Sequence, residues 1–261
     1  MVEHESSSLV LTLEVQEPVV VGLSALGTLR VTNRASTPTT ISSRLNLMEG
    51  DLRLIVAGPD GKRREFRGWQ ADTILRQEVL APNEQLVAHL NLLQTEEGPV
   101  FPVPGRYQLQ AEFSPSVQSE AITSAPVVVN VRTPQTDVER GVVQLLSNDQ
   151  VRRSIVLAQN DTSPTELAQL AEKFPETLDG KLAQLIRAGT GEATAEFDSL
   201  DSALSSAPLI SVLQTPFSRV GSGLAEEFAT KIAMLDEAKP GGERSDLDTA
   251  LRVVQGKPIK V

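Results

Sequence analysis

The chain has 261 residues, 40 % of them hydrophobic and 22 % charged, with a net charge of −10 at pH 7 and no cysteine. That length and apolar content support a sizeable core, in one large domain or two ordinary ones. An acidic chain without a basic face excludes nucleic-acid binding, and the missing cysteines exclude disulfides, thiolate metal sites and cysteine nucleophiles.

Aromatic residues make up only 3 %, so the core has to be built from Leu, Val, Ile and Ala. The start, Met1-Val2-Glu3-His4-Glu5-Ser6-Ser7-Ser8, has neither the basic region nor the apolar run of a signal peptide. No window approaches the apolar length of a membrane span, so no membrane insertion is expected. The expected location is cytoplasmic if Met1 is the native start, and extracytoplasmic if a signal peptide has been removed ahead of it.

Leu9, Leu11, Leu13 and Val15 alternate with polar residues and predict a first strand, bent at Pro18 before Val19-Val20-Val21. Leu29 and Val31 predict a second strand, closed by the polar loop from Asn33 to Thr40. A weaker strand covers Ile41 to Leu47. Leu52, Leu54 and Val56 alternate next, and Gly58-Pro59-Asp60-Gly61 turns the chain into Lys62 to Phe66. After the break at Ala81-Pro82-Asn83-Glu84, Leu86, Ala88, Leu90 and Leu92 form another strand.

The segment from Phe101 to Phe113 organises the rest. Its Pro102, Pro104 and Gly105 make a stiff turn, and Tyr107, Leu109, Ala111 and Phe113 then alternate with Arg106, Gln108, Gln110 and Glu112. Tyr107 is the only tyrosine. Placed just inside a strand after a turn, it resembles the tyrosine corner of immunoglobulin-like sandwiches, which implies a buried ring and a hydroxyl returned to the preceding loop. Val127, Val129 and Val131 give the last strand. Residues 1–133 thus resemble a bacterial immunoglobulin-like β-sandwich domain.

At Thr133-Pro134-Gln135-Thr136 the period changes to a helical one. Val138, Val142, Leu145 and Leu146 share a face, as do Val151, Ile155, Val156 and Leu157. Ser163-Pro164-Thr165-Glu166 reads as a capping box for a helix that Pro175 stops. Lys181 to Ala188 returns, closed by Gly189. The stretch from Leu167 to Pro175 and then Leu182 to Gly189 resembles a tetratricopeptide-type helical hairpin. A thin helix is expected near 192–206, a loop around Pro208 and Pro216, a long amphipathic helix over 217–238, and a last helix from Ser245 to Gly256. The expected class is α+β: an antiparallel immunoglobulin-like β-sandwich over 1–133 and an all-α helical-hairpin domain over 134–261.

No catalytic constellation emerges. His4 sits in the N-terminal tail and His89 on a strand, so neither is poised as the base of a serine nucleophile. Gly221-Ser222-Gly223 lacks the spacing of a nucleophile elbow, and Gly58 to Lys62 lacks that of a phosphate loop. The acidic pairs Glu96/Glu97, Asp198/Asp201 and Asp246/Asp248 do not form a calcium loop. A carboxylate-based hydrolase remains an outside reading, with almost no aromatic residues to line a sugar cleft.

The expectation is therefore a non-enzymatic protein without cofactor or metal, acting as an interaction or scaffold subunit. Its partner is another protein, a protease or a multi-subunit complex among the options. The candidate interface residues are Trp69, Phe101 and Val103 on the sandwich, and Leu224, Phe228 and Leu235 on the long helix, unless that helical face is covered internally. The alternative is a protease-directed inhibitor or substrate acting through the exposed loop Gly98 to Pro104.

Overall fold

Alternating burial sets the strands. The computed structural model describes residues 8–71, 75–116, 119–159, 164–192, 200–215 and 220–238, with Arg252 and Ile259–Lys260. Its strands are β1 (Leu9–Val15), β2 (Val19–Val20), β3 (Leu26–Asn33), β4 (Thr39–Ser42), β5 (Leu52–Ala57), β6 (Arg63–Phe66), β7 (Gln77–Leu80), β8 (Gln85–Asn91), β9 (Gln94–Thr95), β10 (Gly98–Pro99), β11 (Gly105–Phe113), β12 (Ile122–Thr123), β13 (Val127–Arg132) and β14 (Ile259–Lys260). Its helices are α1 (Asp137–Leu146), α2 (Asp149–Leu157), α3 (Pro164–Lys173), α4 (Leu178–Gly189), α5 (Leu200–Leu213) and α6 (Val220–Ala238).

Among the described residues two large sheets carry the β region, beside the two-stranded pairs β4-β7 and β9-β10. One runs β1-β3-β8-β14, the other β2-β13-β11-β5-β6, with β12 on β11. The chain leaves the first sheet after Val15 and, past a cis Glu17–Pro18 bond, joins the second, where Val19 lies parallel to Val131. Leu29, Leu54, Leu86, Leu109 and Phe113 are fully buried in the shared core of the sheets. Each belongs to the apolar set of its strand, so a slip of one residue in register would turn them to solvent.

The turn ahead of β11 closes this core. The Tyr107 hydroxyl donates to the Val103 carbonyl at 2.8 Å, and the Val103 N–H approaches the same oxygen at 3.3 Å. The ring is 1 % exposed and lies under the β5–β6 turn, near Gly58. Gly105 has φ +146°, and a Cβ there would come within 2.8 Å of Pro59. A glycine is therefore required where β11 starts.

The change from strand to helix is held by one carboxylate. Glu139 accepts from the Arg132 guanidinium, at 3.0 Å from Nη1, and from the backbone N–H groups of Gln135 and Thr136. Thr136 caps α1 and completes a capping box with Glu139. The Arg132 bond, followed by the Gln135 N–H, holds the Glu139 carboxyl down at about 2. The box expected at Ser163 to Glu166 falls on Ser163, outside the described residues.

α3 and α4 pack along each other through a tight connection. Thr177 caps α4, accepting from the Gly180 N–H at 3.0 Å. A Cβ on Gly180 would meet the Phe174 carbonyl oxygen at 1.9 Å, so only glycine fits. The helix expected near 192–206 is α5, over Leu200–Leu213, and Pro208 lies inside it where a loop was expected. Ala207, Ile210 and Leu213 are buried at helical spacing; this burial carries the helix past the hydrogen bond that proline removes. The helix expected from Ser245 lies outside the described residues, apart from Arg252.

The helical core, with Val142, Ile155, Leu170, Ile186, Leu213 and Phe228, also takes in Met48 and Leu93 from the β region. α5 packs on β8, and Ile259–Lys260 return from the chain's end to pair with β8. The segment 134–261 therefore contributes a strand to the sheet as well as the helices.

Candidate interaction surface

β7 was not legible in the sequence, and it carries the most exposed apolar side chains of the β region. Leu75, just ahead of it, is 50 % exposed and Val79 54 %. Gln77 between them is exposed as well, whereas Arg76, Glu78 and Leu80 are turned progressively inward. One side of this segment thus faces solvent and the other is fixed.

The fixing is polar. Arg76 Nη2 donates to both oxygens of Glu49 at 2.7 Å, and the Glu49 side chain is almost completely buried. The Ser43 N–H donates to the Arg76 carbonyl at 3.0 Å. Asn33, fully buried, donates from Nδ2 to the carbonyls of Leu80 and Thr37 at 2.9 Å, while its Oδ1 accepts from the Ala35 N–H at 2.9 Å. β7 pairs with β4, Val79 opposite Thr40. These bonds tie the end of β3, β4 and β7 together, so the exposed apolar pair stands on a held segment.

β8 follows β7 through the turn at Asn83, which has φ +65°. Its far edge from β3 is taken by β14, with Ile259 opposite Val87 and Lys260 opposite Leu86. Arg252 also reaches this region and pairs with Glu78 at 3.7 Å, both side chains largely buried. Two separate points of the C-terminal segment therefore rest on β7 and β8.

On the outer side of β8, His89 Nδ1 lies 3.3 Å from the Thr28 hydroxyl. Burial, and then the neighbouring Arg30 cation, hold its imidazole down to about 4. On the side of the helices, the Asp179 carboxylate in the first turn of α4 accepts from the Ser24 N–H at 3.3 and 3.4 Å. Asp179 is 2 % exposed, and burial pushes its carboxyl up to about 6 against the pull of the Ser24 hydrogen bonds.

The residues singled out in the sequence divide. Val103 is exposed, at the tip of the turn. Phe101 is buried: its ring meets Tyr107 edge-on, with centroids 5.2 Å apart at 81°. It serves the core rather than a surface. Trp69 is half-buried against the helical core, with the Arg153 guanidinium 6.0 Å from its ring. Trp69, Phe101 and Val103 thus form no common patch.

Leu224 and Phe228 are fully buried in the helical core, because α4 and α5 pack on α6; that face is covered by this chain. The Leu235 side chain lies outside the described residues, and so does His4. In the basic cluster at Lys62 to Arg67, on the β5–β6 hairpin, Arg64 pairs with Asp60 at 2.8 Å and Arg67 with Glu65 at 2.8 Å, and Glu65 also accepts from Arg53 at 2.9 Å.

The Gly98 to Pro104 loop exposes Pro99, Pro102, Val103 and Pro104. Val100 and Phe101 are buried, and the backbone of Val103 is turned inward onto the Tyr107 hydroxyl. Among the described residues no group of three or more His, Cys, Asp or Glu side chains is placed to hold a metal ion, and no helix is long and apolar enough to cross a membrane.

No family model matches the sequence, and no curated protein matches it. Among solved structures, the chain is similar to the CARDB domain of a Pyrococcus furiosus protein in complex with di-metal ions, at 15 % identity over 48 % of this chain and 87 % of that one, with a TM-score of 0.29. It is also similar to a β-glucosidase from Erythrobacter marinus, at 14 % identity over 48 % of this chain and 15 % of that one, with a TM-score of 0.28. A β-glucosidase from Listeria innocua in complex with isofagomine is similar at 9 % identity, over 49 % and 16 %, with a TM-score of 0.29. The chain spans less than a fifth of either β-glucosidase, and likenesses this slight carry no argument about ligand or activity.

Proposed function

We propose that this is a non-enzymatic protein-interaction or scaffold subunit: an immunoglobulin-like sandwich buttressed by a tetratricopeptide-like helical half. One observation carries the reading. Leu75 and Val79 expose two large apolar side chains on one side of a segment whose other side is bolted down by Glu49 and Asn33. Scattered single apolar residues on a surface call for no explanation. Leu75, just ahead of β7, and Val79 within it share one side of a segment held by hydrogen bonds, a small apolar contact suited to a protein partner. A pre-ordered strand loses little entropy on binding, so even a small apolar contact contributes to affinity. The alternative reading, a protease-directed inhibitor or substrate, would act through the exposed Pro102, Val103 and Pro104 of the loop from Gly98 to Pro104.

The test is a comparison in extracts of the native host. Wild type and the double variant Leu75→Glu, Val79→Lys are used as baits, with unchanged far-ultraviolet circular dichroism and melting as the control for folding. Wild type is expected to retain a specific protein that the variant loses. Identical retention by both folded baits would remove this surface as the site.

A further inference from the structure

We infer that the turn from Gly22 to Ser24, between β2 and β3, is a proton-operated latch. It clasps the helical half while the buried Asp179 side chain holds a proton, and lets go as that side chain ionises. The inference goes beyond the reading of Leu75 and Val79 and does not depend on it.

The turn is anchored in the sheets and reaches the helices. The Leu23 N–H donates to the Val20 carbonyl at 3.2 Å, and the Ala25 carbonyl accepts from the Leu92 N–H at 2.8 Å. Gly22 has φ +79°, and a Cβ there would lie 3.4 Å from Val143 of α1. Leu23 packs on the helical core. The Ser24 N–H faces both oxygens of Asp179 in the first turn of α4.

That last contact suits a protonated carboxyl better than an ionised one. One N–H is shared between two oxygens at 3.3 and 3.4 Å, whereas a carboxylate draws an N–H donor to about 3 Å or less. Asp179 is 2 % exposed, so water does not supply the missing donors. The Ser24 hydroxyl is buried too, without a hydrogen-bond partner among the described residues.

The neighbouring charges are occupied elsewhere. On α4, Lys181 pairs with Glu176 at 4.0 Å and Arg187 with Glu172 of α3 at 3.3 Å. On α2, Arg152 pairs with Asp149 and Arg153 lies by the Trp69 ring. On α1, Arg140 pairs with Asp137 at 2.6 Å and Glu139 with Arg132. Lys173 of α3 and Glu226, Glu227 and Lys231 of α6 are exposed. Burial, and then Ser24, set the state of Asp179, and burial prevails. His89 on β8 titrates with the opposite sign, so the test compares proteins that both keep it.

Hydrogen exchange at the Ser24 amide reads the latch. It is followed by NMR on the full chain from pH 4 to 7.5 and corrected for the intrinsic rate. A carboxyl that holds its proton more tightly when the latch is closed favours closure below its open value, and that favour is lost as the pH rises through the closed one. The opening constant of wild type, relative to that of Asp179→Asn, is therefore expected to rise on the order of 100-fold across this range, from the shift between 3.8 and about 6. At pH 7.5 the wild-type Ser24 amide is also expected to exchange faster than the amides of β11, and independently of added urea, because the latch opens with the sheets intact.

A ratio that stays constant with pH would overturn the proton control. Ser24 exchange that matches β11 in rate and urea dependence would overturn the latch, since the turn would then be freed by whole-molecule unfolding alone. If Asp179→Asn does not fold, carbon-13 NMR titration of the Asp179 carboxyl in wild type decides the proton control: a midpoint near 6 supports it and one near 3.8 overturns it. Leu75 and Val79 are unchanged in both proteins, so failure here leaves the retention comparison above intact.

Discussion

Replacing Tyr107 by alanine is expected to destabilise the protein by about 3–5 kcal/mol, the scale of deleting a buried aromatic side chain from a packed core. The ring is fully buried, packs edge-on to Phe101 and lies against the turn at Gly58. Its loss opens a cavity where three elements meet and also frees the loop that seats Phe101. Tyr107→Phe separates the two contributions. It keeps the ring and removes only the hydroxyl that ties down both backbone groups of Val103, so about 1–2 kcal/mol is expected. Urea denaturation measures both variants. Equal midpoints for wild type and Tyr107→Phe would show that the hydroxyl does not hold the loop.

The second large effect has the opposite sign. Asp179→Asn is expected to stabilise the protein at pH 7.5 by up to about 3 kcal/mol, the free energy of moving a carboxyl from 3.8 to about 6. A carboxyl that holds its proton more tightly when folded contributes most below its unfolded value. That contribution is lost as the pH rises through the folded value, leaving a buried charge near neutrality. Asparagine removes the charge and keeps an oxygen for the Ser24 N–H. His89 acts the other way: its folded value of about 4 lies below the ordinary 6.5, so its contribution is full above that value and lost as the pH falls toward 4.

The two slopes oppose each other across the same window. Wild-type stability is therefore expected to vary little between about pH 4 and 6. In Asp179→Asn it should fall on acidification through this range, and in His89→Gln it should fall as the pH rises. Urea midpoints at a series of pH values read this directly. A destabilised Asp179→Asn at pH 7.5 would mean that the ionised carboxylate is worth more to the contact between α4 and Ser24 than its burial costs.

What could be read in the sequence follows the strength of the periodic signal. The long strands β1, β3, β5, β8, β11 and β13 each have an inward apolar set, and Tyr107 lies where its neighbouring Pro and Gly residues placed it. β7 had no such signal, because Gln77-Glu78-Val79-Leu80 has one buried apolar residue, Leu80. The strand is specified instead by long-range polar partners, Asn33 and Glu49, which no local pattern reveals. β14 is too short to show alternation. Leu224 and Phe228 show the reverse case: an amphipathic stripe announces that a face is covered, but the helices that cover it are set by tertiary packing. Phe101 precedes a proline-rich turn and reads as exposed, yet the hydroxyl bond of Tyr107 to Val103 draws that turn onto the core.

The interaction surface is tested most directly by a photo-reactive phenylalanine analogue placed at position 79 and irradiated in the native host. Position 128, an exposed valine in β13 of a different sheet, serves as the control. A discrete covalent adduct with another polypeptide is expected from position 79 and not from position 128. No adduct from position 79, or the same adducts from both, would contradict the assignment of this surface.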